Sequence, residues 1–522
     1  MLSVLSLLPA CAGTGGRIPV QDLLVVGQLG ALDNVNELVG ESGEHNRALS
    51  RLLFLPLLEE LPDFSVGPPT YAPLLAESWE RSEDRTVLTF HLRPGLEWSD
   101  GEPLTAEDVH FTWLAQVSPD IAWPLAPSSN LLDVEVVDAV TVRFRFARPS
   151  ANQLSDAVAG GVLPRHRWSE LPFASWRSNP HWFAENLAVS GPYTVSDWAP
   201  PESVELTANP RYHRPERPRL HRVVLRFTKS DVALLAMLRA GEAGLVAPVP
   251  ARDRARLDRE PGVETLDYPT RQVTFLSWNT RRPQFAEASV RRALGLAIDR
   301  QEIVDTIWFG GATVGSTPIP SSVWARDPTV SSLPFDAAEA RELLAAAGWR
   351  DHDGDGVLDR DGVPFRFELL TNSGNEQRWD ALQMIRADLA EVGIDAVPRR
   401  LELLAVGAAL IESRYDAALT AFGIDTHLDL GFAFHSRSIE AGYNYGGYRS
   451  EAVDRLLDTI ATAEDRRSVL AELHELQRAL YRDQPVLFLW EPRGVVAFAD
   501  TLVPVRPNEL GVLRNLEDWE WR

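Results

Sequence analysis

Between Asp351 and Asp359 the chain reads DHDGDGVLD, and the carboxylates of Asp351, Asp353, Asp355 and Asp359 fall where a calcium loop places its oxygen ligands. Gly356 supplies the sharp turn such a loop needs, and Val357 offers its carbonyl. The position where a bidentate glutamate normally closes the cage is Gly362, so calcium would need a weak site or an outside ligand such as Glu368. The same residues also make an acidic turn held by Asp and Gly preferences alone. Either reading gives the loop a structural role.

No side-chain set suited to catalysis accompanies it. There is no HExxH pair, no GxSxG elbow and no phosphate-binding GxxxxGK loop. His474 stands between Glu472 and Glu475 on a predicted helix, which is the pattern of a solvated face. A calcium-dependent secreted hydrolase built around the Asp351 loop would require a catalytic set that the sequence does not display. The expectation is a binding protein, not an enzyme, with no cofactor beyond a structural calcium. With 74 acidic and 51 basic residues the formal charge is -23. Such a surface repels phosphate backbones, and no basic cluster offsets it, so nucleic acid is excluded as a partner. A transcription regulator would need an N-terminal DNA-binding region, which is not seen.

Sixteen tryptophans offer large rigid faces with a hydrogen-bond donor, suited to peptide side chains or sugar rings. Ligand loops of α/β sheets gather at strand ends, which favours Trp278 and Asn279, just past a predicted strand, and Trp324. Phe422–Asp429 and Tyr443-Asn444-Tyr445 come next. Asp33, Asn36 and His45 follow the first predicted strand and are candidates for the same cleft.

These residues need a scaffold, and 522 residues exceed one core, suggesting two or three domains. Strands are predicted at Leu23–Gly27, Thr86–Leu92, DVEVVD and TVRFRF within 131–146, Val223–Phe227, Phe275–Asn279 and Val486–Trp490, with a strand-rich tail. Asp100-Gly101 marks a turn followed by a second short extended piece. Thr105 and Asp108 form a near capping box before a helix. Further helices are predicted from Glu44 to Leu58, from Ala233 to Gly241, from Val290 through Arg300, over 338–347, from Trp379 to Val392 and from Arg466 to Arg482. Helices followed by strand-like runs give an α/β pattern.

The run LLAESWERSEDRTVLTFHLRPGLEWSDGEPLTAEDVHFTW over 74–113 resembles the segment by which extracellular solute-binding proteins of family 5 are identified, the oligopeptide, dipeptide and nickel receptors of ABC importers. Val162–Trp168 resembles the family's strand that ends in a Leu-Pro-basic-His motif, which implies a strand there, and Gly191-Pro192-Tyr193, Asn209-Pro210-Arg211-Tyr212 and the run Val290–Arg300 match further family patterns. The resemblance implies a periplasmic-binding-protein-like type II (cluster C) α/β fold, two lobes around a ligand cleft with an extra subdomain. Applied here, lobe one holds 18–50, 189–272 and 491–522, the extra subdomain is 51–188, and lobe two is 273–490.

It also implies hinge closure on a solute and delivery to the permease of an ABC importer. Peptide is the leading ligand, oligosaccharide the alternative; few histidines, none clustered, argue against nickel. In the family an aspartate near 425 meets the ligand's amino group, a part open to Asp425 or Asp429. The usual Asp-Pro is absent, since Leu430 follows Asp429.

The single cysteine, Cys11, ends the run Leu8-Pro9-Ala10-Cys11 after a short apolar stretch from Leu2 to Leu8. This resembles a lipoprotein signal, in which the cysteine carries the lipid, with residues 1–17 as signal and spacer. The stretch is too short to span a bilayer. The expected product is a monomeric body on the outer face of a membrane, held by lipid alone. With one cysteine, disulfides are excluded.

Overall fold

The computed structural model describes residues 22–41, 43–440 and 443–522; Cys11 and the signal lie outside them. Leu23–Leu29 reads LLVVGQL, an apolar run suited to a parallel strand covered on both faces. It pairs in parallel with Arg222–Thr228 and with Leu245–Ala247. These strands, with the antiparallel hairpin of Tyr193–Ala199 and Ser203–Ala208, form one half of a twelve-stranded sheet. The other half is built from Asp395–Leu401, Arg366–Asn372, Ala417–Gly423 and Gln272–Trp278.

Two passages of backbone join the halves. Val263–Pro269 and Gln272–Trp278 are separated only by Thr270 and Arg271, and Val486–Ala499 runs antiparallel to both. Its pairing with Gln272–Trp278 shifts register between Thr274 and Phe275, which bends the ladder where the halves meet.

Apart from Phe64 of the 51–188 block, which is buried in a core of the second half, buried side chains separate along the same line. One core joins Leu24, Val223 and Leu225 of the first half to Phe54, Phe90 and Trp168, so the block 51–188 shares its core with that half. The block's own sheet, ordered Ala76–Arg81, Val87–Leu92, Thr141–Phe146, Leu131–Asp138, packs against Ala106–Val117. In the second half, Trp278, Leu294, Phe367 and Leu382 fill one face of the sheet. Its other face is covered by two groups, Val273, Phe275, Val453 and Leu480 in one and Leu370, Val406, Leu410 and Tyr415 in the other.

Local departures from the sequence reading have identifiable causes. The helix from Glu44 stops at Leu53 because Phe54 is extended, and Leu58 enters a short strand. Asp108 closes the capping box by accepting from Thr105 N at 2.8 Å, and also accepts from Arg165 N at 2.9 Å. That second bond helps start a helical turn, Arg165–Trp168, where a strand was expected. The predicted helix through Arg300 is two helices, Ala288–Ala297 and Arg300–Trp308. Asp299 turns the chain between them and caps the second, accepting from Glu302 N at 2.9 Å. The helix predicted from Arg466 is Leu470–Asp483, preceded by a 3-10 turn. The expected extended piece after Gly101 is a single bridge, Glu97 to Pro103, while the strand predicted at Val486–Trp490 runs on to Ala499 and the tail beyond it adds the short strands Leu502–Val503 and Glu520–Trp521. Among the described residues no helix is long and apolar enough to cross a membrane.

Candidate functional site

The two groups covering the second half's outer face leave a gap between them, and the gap is a pocket of about 270 Å³. Its floor is sheet. Phe275 lies opposite Thr420, and Val273 opposite Phe422 in the same antiparallel pairing. Arg366–Asn372 and Ala417–Gly423 are parallel, and Asn372 and Phe422, near their carboxyl ends, line the pocket. Carboxyl ends of parallel strands are where open α/β sheets place ligands.

One wall is the helix Leu403–Ile411, which reads LLAVGAALI and has no polar residue on any face. Val406 and Leu410 pack inward on Leu370 and Tyr415. Leu403 and Leu404 are left 66% and 88% exposed at the lip. The opposite wall is formed by residues from 432–434 and 443–448. Phe422 meets Phe275 at 4.9 Å and Phe432 at 5.7 Å, the latter edge-on, a geometry that aromatic rings favour.

Several polar side chains, among them Ser277, Asn372, Arg378 and Thr420, stand in this apolar setting. Ser277 Oγ pairs with Tyr415 Oη at 3.0 Å. Arg378 sits in the first turn of Glu376–Glu391, whose cap Asn375 accepts from Arg378 N at 2.9 Å. Its guanidinium lines the pocket and Nη1 donates to Asn372 Oδ1 at 2.9 Å. Burial lowers its pKa.

A second feature ties the halves together. Ala151 N donates to Ala463 O at 2.9 Å, and Arg466 donates to Asn152 Oδ1 at 2.9 Å and also to His427 O. The His427 ring lies between two carboxylates, with Nε2 at 3.5 Å from Asp156 and Nδ1 at 3.2 Å from Asp425. Asp156 is fully buried and accepts from Ser128 N and Oγ at 2.9 and 2.6 Å. Burial opposes charge on His427, but hydrogen bonds and attraction from Asp156 and Asp425 outweigh it and raise its pKa to about 10. Burial likewise opposes the charge on Asp425, but His427 holds its pKa below the usual carboxylate value.

The residues singled out from sequence divide among several places. Tyr443 is 56% exposed at the pocket's lip, and Asn444 lies buried beneath it. Asn444 donates to Tyr448 O at 2.9 Å and accepts from Tyr448 N at 3.1 Å, which fixes the wall. Trp278 and Asn279 are turned away from this pocket. Trp278 is fully buried, stacked on Phe285 at 5.3 Å and edge-on to Phe367, while Asn279 donates to Tyr415 O at 2.8 Å. Pleating sends Trp278 to the face opposite Phe275 and Ser277.

Trp324 lies at the seam with the 51–188 block, its N donating to Phe64 O at 2.9 Å. Asp429 accepts from Gly431 N at 2.7 Å. Asp33 and Asn36 shape the loop after the first strand. Asp33 accepts from Asn46 Nδ2 and Glu41 N at 2.9 and 2.8 Å, and Asn36 accepts from Leu38 N at 3.0 Å. His45 meets Phe227 edge-on at 5.2 Å.

In the acidic loop, oxygens of Asp351, Asp353 and Asp355 come within 4.8 Å of one another, all exposed. Asp351 accepts from Gly354 N and Gly356 N, at 2.7 and 3.1 Å, and Val357 N donates to Asp355 at 2.8 Å. Asp359 faces away from this trio toward His352, at 3.0 Å.

Sequence reasoning passed over Arg378, Asn372 and the 403–411 helix. The last did carry a signal: nine successive apolar or glycine residues, too short to span a bilayer, leave no polar face for solvent.

Comparison with known proteins adds a family to this geometry. A model of the bacterial extracellular solute-binding proteins, family 5 (middle region), matches residues 70–441. The oligopeptide-binding protein AppA of Bacillus subtilis (strain 168) is 28% identical over 456 residues, covering 85% of this chain and 82% of that protein. The dipeptide-binding protein of Escherichia coli (strain K12) is 24% identical over 481 residues, covering 88% and 86%. The structure of Bacillus subtilis AppA with a nonapeptide superposes with a TM-score of 0.80 at 26% identity, covering 96% of this chain and 99% of that one. An oligopeptide-binding protein of Thermotoga maritima reaches a TM-score of 0.84 at 22% identity, over 97% and 100%.

Proposed function

The chain belongs to the bacterial extracellular solute-binding proteins of family 5, and from that premise we propose that it captures a peptide between its two lobes for an ABC permease. The observation that carries this reading is the aromatic-floored pocket at the carboxyl ends of two parallel strands, beside the hinge. Apolar walls with a few placed polar groups suit side chains, and sequence-independent contacts suit an extended backbone. AppA, with its nonapeptide, and the E. coli dipeptide receptor are similar over most of their lengths.

The mechanism is a shift of population. Thr270, Arg271 and the register shift at Thr274 supply the bend, and a ligand touching both lobes favours the closed form by its extra contacts there. No bond is made or broken. Tyr443 at the lip and Phe422 on the floor are the residues assigned to ligand contact; Asp425 and Asp429 stand at the adjoining seam. Cys11 is assigned as the lipid anchor, which Cys11→Ser would abolish in an intact-mass measurement of the membrane fraction. Calcium is assigned to Asp351, Asp353 and Asp355 as a local brace, read as a melting shift between calcium and chelator.

The test of the peptide reading is calorimetric. Tetra- to nonapeptides with aromatic residues should raise the melting temperature by several degrees at saturating concentration, whereas maltose-series oligosaccharides should not. Stabilisation by the sugars alone would overturn it.

A further inference from the structure

The hairpin of Leu58–Glu60 and Tyr71–Pro73 is closed by the loop 61–70, longer than the about two to five residues a hairpin needs. The loop is folded on itself. Asp63 accepts from Thr70 N and Thr70 Oγ1, and its carbonyl accepts from Val66 N at 2.9 Å. Val66 stands 79% exposed, whereas Phe64 has no exposed surface and lies in the core that Val273, Phe275, Ile319 and Val323 help to form in the second half. Trp324 N donates to Phe64 O at 2.9 Å, so backbone as well as ring is held across the boundary.

The seat of Phe64 is beside the hinge. Arg271, one of the two residues at which the chain crosses between the halves, has its guanidinium 4.5 Å from the centre of the Phe64 ring, a cation–π contact. The same guanidinium donates to Glu60 at the foot of the loop, at 2.9 Å. Arg271 O accepts from Ile424 N at 2.7 Å. One residue therefore grips the loop at foot and tip while its backbone stays with the second half.

We propose that the 61–70 loop is a third connection between the two bodies, a strut of side-chain packing beside the two backbone passages, and that Phe64 stays seated in the second half while the lobes open and close. The inference rests on the hinge-closure reading. A contact next to the rotation axis moves least as two bodies turn, so the seat stays filled and the rest of the loop takes up the motion. Drawing a fully buried aromatic ring out into water at each opening would forfeit its burial. The strut thus limits how far the second lobe swings away from the 51–188 block.

The amide of Trp324 reports on the seat directly, since its acceptor is Phe64 O. The experiment follows its hydrogen exchange in the full chain with and without Ala-Ala-Ala-Phe, alongside pulsed-EPR distances between labels on the two lobes. Removing the peptide moves the lobes apart yet changes exchange at Trp324 by less than about threefold. Phe64→Ala speeds that exchange at least about tenfold, leaves the helix Ala337–Ala346 of the same lobe within about twofold, and yields ligand-free distances longer than any the wild type samples. Phe64→Leu, which keeps a smaller apolar plug, gives intermediate values and carries the test should Phe64→Ala not fold.

Exchange at Trp324 that quickens about tenfold whenever the peptide leaves means that the loop lets go on opening, and overturns the proposal. Ligand-free distances in Phe64→Ala that match the wild type assign Phe64 to packing alone and also overturn it. In both cases the peptide still draws the lobes together, so the hinge reading stands. Wild-type distances that ignore the peptide while Phe64→Ala lengthens them sink the peptide reading and keep the strut. Distances moved by neither remove both.

Discussion

Trp278 and Tyr443 differ in what they lose on truncation, and the difference follows from exposure. Trp278 has no exposed surface and packs between Phe285 and Phe367, so Trp278→Ala opens a large cavity. It should cost about 3–5 kcal/mol of stability in urea melts and leave the affinity of the remaining folded protein within about twofold. Tyr443 is half out of the fold. Tyr443→Ala should cost less than about 0.5 kcal/mol of stability while lowering ligand affinity. If Trp278→Ala weakened binding at full stability, the indole would belong to the cleft after all. Composition does not say which face of a pleat an aromatic ring occupies. That depends on register, which long-range pairing with Ala417–Gly423 fixes.

Elements with strong local signals are where the sequence could be read: the capping box at Thr105, the alternation in Val87–Leu92, and the helix Glu376–Glu391 with Gly393 beyond its end. The pocket was harder because its lining comes from seven separate stretches that meet only in the folded structure. Arg378 looks like any helix-surface arginine until the neighbours across the gap are known. Arg291 shows the same limit. It lies on Ala288–Ala297 and donates to the carbonyls of Phe285, Ala286, Asp483 and Gln484, joining that helix to the end of Leu470–Asp483. Arg291→Met keeps the volume and leaves those buried acceptors unpaired, so a loss of about 3 kcal/mol is expected. Hydrogen exchange should speed up at 480–486 before it does elsewhere. Uniform exchange across the lobe would show that the arginine is not a local clasp.

Over the whole molecule the 51–188 block meets the second half at a charged seam around His427, and its protonation should govern closure. His427 from the second lobe faces Asp156 of the 51–188 block and Asp425 of its own loop, with Arg466 donating to its carbonyl and to Asn152. In this structure its pKa is raised to about 10, against about 6.5 for an unperturbed imidazole. A raised pKa means the stabilising contribution is complete below pH ~6.5 and is lost as pH climbs through about 10. Asp425, with its pKa below the usual value, stays ionised across that window. Part of the shift belongs to Asp425 and survives opening; the share from Asp156 is the part linked to closure. Between pH 7 and 10 the fraction closed should therefore fall, read by distance measurements between labels on the two lobes without ligand, and salt should weaken the effect only modestly because Asp156 is fully buried. His427→Gln should start less closed at pH 7 and show a flat profile across the same range. A wild-type profile equally flat, or one that persists in Asp156→Asn, would place the control of closure in the hinge strands alone.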